Sequence, residues 1–153
     1  MNAIITPPGE QRDASIDEGV PRQAHERAFD ALTRIAGYVC DAPIAAIVVD
    51  EGGRMRVASM HGLDGAHDSV LSFCAAVSVD FEEIYDTLAS DRLRGHMLVA
   101  RPPCIRGYTK VELKTTAGHS IGSLLVMDRQ PRRFTPTMKL VLRQLAVIAA
   151  RLL

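Results

Sequence analysis

The sequence predicts an α+β fold: a central antiparallel sheet of about five to six strands, end helices on one face and an irregular insertion on the other. Two observations carry this. Apolar segments come in pairs joined by tight turns, 44–49 with 54–60 and 105–114 with 119–128, and strands joined so closely must run antiparallel. Helical periodicity appears at both ends of the chain, with no strand–helix–strand alternation between them.

Each element has its own warrant. Residues 1–20 hold Pro7-Pro8-Gly9 and scattered charge with little periodicity, and are expected to be a disordered leader. Pro21 suits a first helical position. Ala24, Ala28, Phe29, Leu32, Ile35, Ala36 and Val39 then recur at helical spacing, which predicts a helix over 21–40 that Pro43 bars from continuing. "IAAIVV" (44–49) is continuously apolar, as in a strand buried on both faces. "DEGGR" turns the chain into 54–60, where Arg54 and Arg56 alternate with Met55 and Val57. The stretch 62–103 is irregular: Val70, Phe73, Cys74 and Val77 share a helical face, "EEIY" reads as a short strand, and Asp86 suits the cap of a short helix over 87–93. After Pro102-Pro103 comes the second hairpin, with "TTAG" as its turn. Thr135 is a natural N-cap, with Pro136 at the first position of a helix over 136–153. Between them lies "DRQPRR" (128–133): Asp128 can accept turn N–H groups, Pro131 fixes φ, and Arg129, Arg132 and Arg133 are expected to stay solvated.

Bulk composition sets bounds. A chain of 153 residues suits one domain with one core. The 18 basic and 18 acidic residues cancel, which argues against a dedicated nucleic-acid binder. No apolar run reaches the roughly 20 residues that span a bilayer. Three well-separated cysteines, Cys40, Cys74 and Cys104, fit a reducing compartment, so a cytoplasmic location is expected.

Several motifs resemble the GAF domain, specifically its bacterial sensory type. They are the helix "SVLSFCAAVS" (69–78), "IYDTLASDRL" (84–93), "RPPCIRGY" (101–108) and "AGHSIGSLLVMDRQPR" (117–132). The resemblance runs from about Phe29 to Leu153. It implies a sheet with a ligand pocket beneath the insertion (a GAF/PAS-like layout), and a domain spanning 21–153 whose last helix continues into an output module. Such domains bind cyclic nucleotides, haem, bilins, metabolites or gases, and they sit in front of histidine kinase, diguanylate cyclase or transcription-factor outputs, many of them as dimers. Two-component signalling is one such setting. The cofactor here is unknown. The strand after Ile105-Arg106 departs from the family's small apolar pattern, reading Gly107-Tyr108-Thr109-Lys110-Val111-Glu112-Leu113.

Candidate ligand-binding residues are Phe73, Cys74, Asp86, Arg92, Arg106, Tyr108 and Lys110. Cys74 is either a reactive thiol or, the commoner fate, a small buried hydrophobe. A bilin linkage seeks a Cys-His pair, and Ala75 follows here. Asp86, Asp91 and Arg92 form either a pocket mouth or a cap with a surface ion pair. Arg106 is either paired, with Asp86 or Asp128, or aimed at an anion. By alternation Arg106, Tyr108 and Lys110 share a face, which either lines the pocket or meets solvent. The five histidines show no metal-ligand spacing. No catalytic constellation stands out, so the chain is read as a non-enzymatic sensor of a small molecule. Its rivals are a dimerisation module with a filled pocket and a thiol-dependent methionine sulfoxide reductase of GAF fold. In the last helix Val141, Leu145, Ile148 and Leu152 form one stripe, and Met138, Leu142 and Leu153 spread beyond it. That excess, together with the first helix, suggests a homodimer interface. Neither a nucleic acid nor a membrane is expected as a partner.

Overall fold

The computed structural model describes the backbone of residues 6–76 and 81–153, and the side chains of 23–76 and 83–153. The elements are α1 (Thr6–Val39), β1 (Ile44–Glu51), β2 (Arg54–His61), α2 (His67–Ala75), β3 (Phe81–Ile84), α3 (Met97–Ala100), β4 (Gly107–Lys114), β5 (Ser120–Asp128) and α4 (Pro136–Arg151). The sheet has five strands in the order β2-β1-β5-β4-β3, and every neighbouring pair is antiparallel.

β1 and β5 form the middle, and their sequences explain why. Residues 44–49 of β1 and 122–127 of β5 are all buried, so both faces of each strand must be covered. Alternation then divides the core in two. Ala45, Ile47 and Val49 of β1, with Leu124 and Val126 of β5, face α1 and α4 and pack on Phe29, Leu32, Leu142 and Leu145. Ile44, Ala46, Val48, Leu125 and Met127 face the insertion and pack on Val70, Phe73, Leu93 and Leu98. The expected layering is therefore present. Gly122 makes the close β1–β5 approach possible: a Cβ there would lie 2.3 Å from the Val48 carbonyl oxygen.

Four local expectations are corrected. First, α1 begins at Thr6, so the backbone from residue 6 to 20 is helical where a disordered leader was expected, and residues 1–5 lie outside the described residues. Pro7 and Pro8 fall in the first turn, whose N–H groups have no intrahelical acceptor in any case. Second, the short helix expected over 87–93 is a single 3-10 turn at Thr87–Ala89, ended by extended backbone at Ser90. The unanticipated α3 follows, capped by His96. Third, Arg132 is not a solvated arginine. Its Nη1 donates to Asp128 Oδ2 at 3.2 Å and to the Asp41 carbonyl at 3.0 Å, and its guanidinium lies 4.4 Å from the Phe134 ring centroid. Arg133 stacks on Tyr85 at 4.8 Å. Fourth, Leu145 of the expected dimer stripe is buried in the core, with Val141 and Leu152 packed against it. Of that stripe only Ile148 is among the exposed large hydrophobics, which on α4 also include Leu140 and Val147.

Other local readings hold. Thr135 caps α4, its Oγ1 accepting the Met138 N–H at 3.1 Å with Pro136 next in line. Asp86 caps the 3-10 turn through Leu88 N at 3.0 Å. Asp128 Oδ1 accepts the Gln130 N–H at 3.2 Å. Val77, counted with the α2 face, lies outside the described residues.

Candidate functional site

The site grows from the phase of β4. Tyr108 belongs to the core under the insertion, and Val111 and Leu113 to the core under the end helices. Even-numbered positions of β4 thus face the insertion, which decides the face of Tyr108, Lys110 and Glu112. α2 lies across this face and sets Val70, Phe73 and Cys74 into the core. Between α2 and strands β4 and β5 is a cavity of about 290 Å³. Its walls include Leu71, Cys74 and Ala75 from α2, Lys110 and Glu112 from β4, and Ser123 from β5. Asp50, Met55, Ser120 and Gly122 complete the lining.

Polar chemistry converges on Glu112. Its Oε2 accepts the hydroxyls of Ser120 at 3.1 Å and Ser123 at 2.9 Å. Its Oε1 stands 3.8 Å from Lys110 Nζ, with the two side chains 16% and 4% exposed. A charge of each sign is thus held in a poorly solvated place. Cys74 sits beside them. Burial pushes its thiol pKa up, against a hydrogen bond with Ser123 and the Lys110 charge, and the Glu112 charge adds to the rise. The thiol is therefore protonated at neutral pH and a weak nucleophile.

The other candidates lie outside the lining of this cavity. Phe73 is fully buried, edge-on to Tyr108 with centroids 5.0 Å apart and to His96 at 5.2 Å. Tyr108 is likewise fully buried, so both form floor and not lining. Asp86 spends its carboxylate on the 3-10 turn, and Arg92 is exposed on the surface beyond it. Arg106 pairs with neither Asp86 nor Asp128: its Nη1 donates to the carbonyls of Val99 at 3.1 Å and Ile105 at 3.3 Å. The strand begins only at Gly107, so the alternation that grouped Arg106 with Tyr108 does not reach it. Of the seven candidates, only Cys74 and Lys110 line the cavity.

Glu112 and Ser123 line the cavity without having been among the candidates, and His96 stands nearby in the insertion. Glu112 was legible, since it stands two positions beyond Lys110 on the same strand face. Ser123 needed the register, which pairs it with Glu112. His96 clasps the insertion together. Its Nδ1 accepts the Leu98 N–H at 3.1 Å, so Nε2 carries the proton and lies 3.1 Å from Ser72 Oγ on α2. Burial lowers its pKa, which favours that neutral form. Among the described residues, no three His, Cys, Asp or Glu side chains gather as a metal site, and no helix is long and apolar enough to cross a membrane.

Two further contacts join the edge strands of the sheet to the segments that cover its other face. Glu83 of β3 accepts the Phe134 N–H at 2.7 Å through Oε2, and its Oε1 meets Lys139 Nζ of α4 at 2.7 Å. On the opposite edge, Ser59 of β2 donates to Asp30 Oδ1 of α1 at 2.5 Å and lies 3.0 Å from Thr33 Oγ1.

No protein-family model matches the chain. Its sequence is 30% identical over 137 residues to a cyclic di-GMP phosphodiesterase of Pseudomonas aeruginosa, a match covering 84% of this chain and 23% of that protein. The chain thus spans about a quarter of that relative's length. Among solved structures it resembles the type II free methionine-R-sulfoxide reductase of Thermoplasma acidophilum, with a TM-score of 0.67 at 15% identity, covering 86% of this chain and 94% of that one. It also resembles the blue-light-absorbing form of the PixJ GAF domain of Thermosynechococcus elongatus, with a TM-score of 0.67 at 12% identity, covering 86% and 85%. With five antiparallel strands in this order, helices α1 and α4 on one face and the insertion on the other, the chain has the fold of a GAF domain.

Proposed function

We propose that the chain is a non-enzymatic, small-molecule-sensing regulatory domain that controls a separate output activity. The observation that carries this reading is the cavity beneath α2, where the described residues bring together a buried cation, a carboxylate and a thiol. Two larger hollows, of about 840 Å³ along α4 and about 980 Å³ at the end of α1, lack Lys110 and Cys74. The route outward runs through the insertion, whose β3 strand holds Phe134 and Lys139 by Glu83. A ligand that favours one position of the insertion shifts the balance between two arrangements of α4. The likeness to part of a cyclic di-GMP phosphodiesterase supports a signalling setting. The test is a thermal-shift screen with cyclic nucleotides, haem, bilins, amino acids and oxyanions. Stabilisation by none of them would overturn the reading in favour of a dimerisation module.

A homodimer belongs to the same proposal, and exposed apolar residues support a seam different from the one the sequence suggested. Leu140, Val147 and Ile148 are about half exposed, and Tyr38 of α1 is 88% exposed. These residues replace Val141, Leu145 and Leu152 as the expected seam. A monomer by light scattering at micromolar concentration would remove this part.

A second reading, a thiol-dependent reductase, draws on the reductase likeness and on Cys74 in the cavity. Cys40 cannot assist there, because it lies in the core on the other side of the sheet. Only Cys104, partly buried, is left as a resolving thiol. Reduction of free methionine sulfoxide by the wild type, lost in Cys74→Ser, would establish this reading against the first.

A further inference from the structure

We propose that His96 is a proton-operated clasp on α2: adding a proton to its ring in mild acid releases this helix and opens the cavity beneath it. The clasp is independent of which ligand the cavity takes. α2 is a nine-residue helix with no side-chain cap at its start. It walls the cavity with Leu71, Cys74 and Ala75. On its other side it meets α3: Ser72 Oγ lies 3.1 Å from His96 Nε2, and Ser69 Oγ donates to Met97 Sδ at 3.5 Å.

A single ring holds this junction. His96 Nδ1 accepts the Leu98 N–H at 3.1 Å and so caps α3, Nε2 reaches Ser72, and the ring stands edge-on to Phe73 with centroids 5.2 Å apart. A proton on Nδ1 turns that acceptor into a donor. Two N–H groups then face each other, the Leu98 N–H loses its partner, and the imidazolium must turn toward water. The same turn takes the ring away from Ser72 and Phe73. The carbonyls of Leu98 and Val99 stay bonded to Ile105 N at 2.7 Å and Arg106 Nη1 at 3.1 Å. α3 therefore keeps its place beside the start of β4, and the slack appears between α3 and α2.

Neighbouring charges do not set this equilibrium. α2 carries His67, Asp68 and Cys74, and β4 places Tyr108 behind Phe73. The turn before the ring holds Arg92 and the Arg94–Asp91 pair, and the segment after α3 holds Arg101 and Arg106. Burial is what moves the His96 pKa, and it moves it down. The clasp is therefore closed above the ordinary value of 6.5 and is released as pH falls through the lower value of the closed form.

The experiment labels the full chain with 4,4′-dithiodipyridine between about pH 7.5 and about pH 5 and reads each cysteine by mass spectrometry. Cys74, 5% exposed beneath α2, reports the opening. Cys40, in the core on the other side of the sheet, reports global unfolding. Protonation of His96 is followed in parallel by NMR of its ring nitrogens. The expected result is labelling of Cys74 at least about fivefold faster in acid, relative to a free thiol at the same pH, which is the factor that a lost cap carries. Its midpoint should match that of the His96 ring, with no rise at Cys40. His96→Asn keeps a capping oxygen that takes no proton and should abolish the acid rise. His67→Gln, which removes the histidine of α2 itself, should leave the rise in place. A flat Cys74 profile, an equal rise at Cys40, a midpoint apart from that of His96, a rise that survives in His96→Asn or one that disappears in His67→Gln each overturns the clasp. If His96→Asn does not fold, the wild-type profiles and the His67→Gln variant still decide.

Discussion

Replacing Glu83 by Gln tests the link between the insertion and α4 in the most direct way. Burial alone would raise this carboxyl's pKa. Hydrogen bonds from Lys139 and the Phe134 N–H, with the charges of Lys139 and Arg133, outweigh it and hold the pKa below the usual carboxylate range. Gln keeps the shape and one acceptor but loses the charge. The Lys139 pair, with side chains 20% and 29% exposed, is worth about 0.5–1 kcal/mol. Acceptance of the Phe134 N–H falls from a charge-assisted to a neutral bond, a loss of about 1 kcal/mol. The sum, about 1.5 kcal/mol, lowers Tm by about 3–6 °C for a domain of this size. The sign with pH follows from the lowered value. The contribution is fully present above the ordinary value near 4.5 and is lost as pH falls through the lower folded value. Wild type and variant should therefore differ at pH 7 and converge in acid, measured by circular dichroism melts. A double-mutant cycle with Lys139→Met should show coupling between the two positions. Equal melting at pH 7, or a gap of constant size down into acid, would refute the link.

Three further outcomes are expected. Gly122→Ala places a Cβ about 2.3 Å from the Val48 carbonyl in the sheet centre and should cost at least about 1–3 kcal/mol in urea unfolding; an unchanged midpoint would contradict the β1–β5 register. His96 has a folded pKa below its ordinary 6.5, so its contribution is complete above that value and lost as pH falls through the folded one. His96→Asn, which keeps a capping oxygen, should flatten the fall in stability below about pH 6.5, and a variant with unaltered pH dependence would refute the clasp. Iodoacetamide at pH 8 should label Cys104 well before Cys40, which is buried and whose thiol is pushed up to about 11; mass spectrometry showing Cys40 modified first would contradict the packing.

What the chain disclosed before its structure, and what it withheld, divides along one physical line. Patterns of period two or with a steric cause were readable: the buried run of β1, the hairpins, the Thr135 cap, the turn at Asp128. The seam of α4 was not. Apolar residues fall almost all the way round 138–153, so periodicity cannot say which ones face the core. The sheet decides, taking Leu142, Leu145, Ala146 and Ala149 and leaving Leu140, Val147 and Ile148 outward. Arg106 failed for a related reason. Alternation is a property of extended backbone, and it was carried one residue past the start of the strand.

That error also explains why the centre of the candidate site was missed. Tyr108 and Lys110 were extended backward to Arg106, toward the motif that suggested a family. Forward along the strand the same period reaches Glu112, and cross-strand register then brings in Ser123. The backward extension makes the stripe uniformly basic and points to an anion. The forward one sets a carboxylate beside the lysine and makes the stripe amphoteric. A change of two residues in the reading frame of one strand thus changes the charge that the stripe presents. Glu112→Gln tests the difference: removing the carboxylate charge beside Lys110 should tighten oxyanion binding in a thermal-shift assay, and unchanged binding would refute an amphoteric stripe.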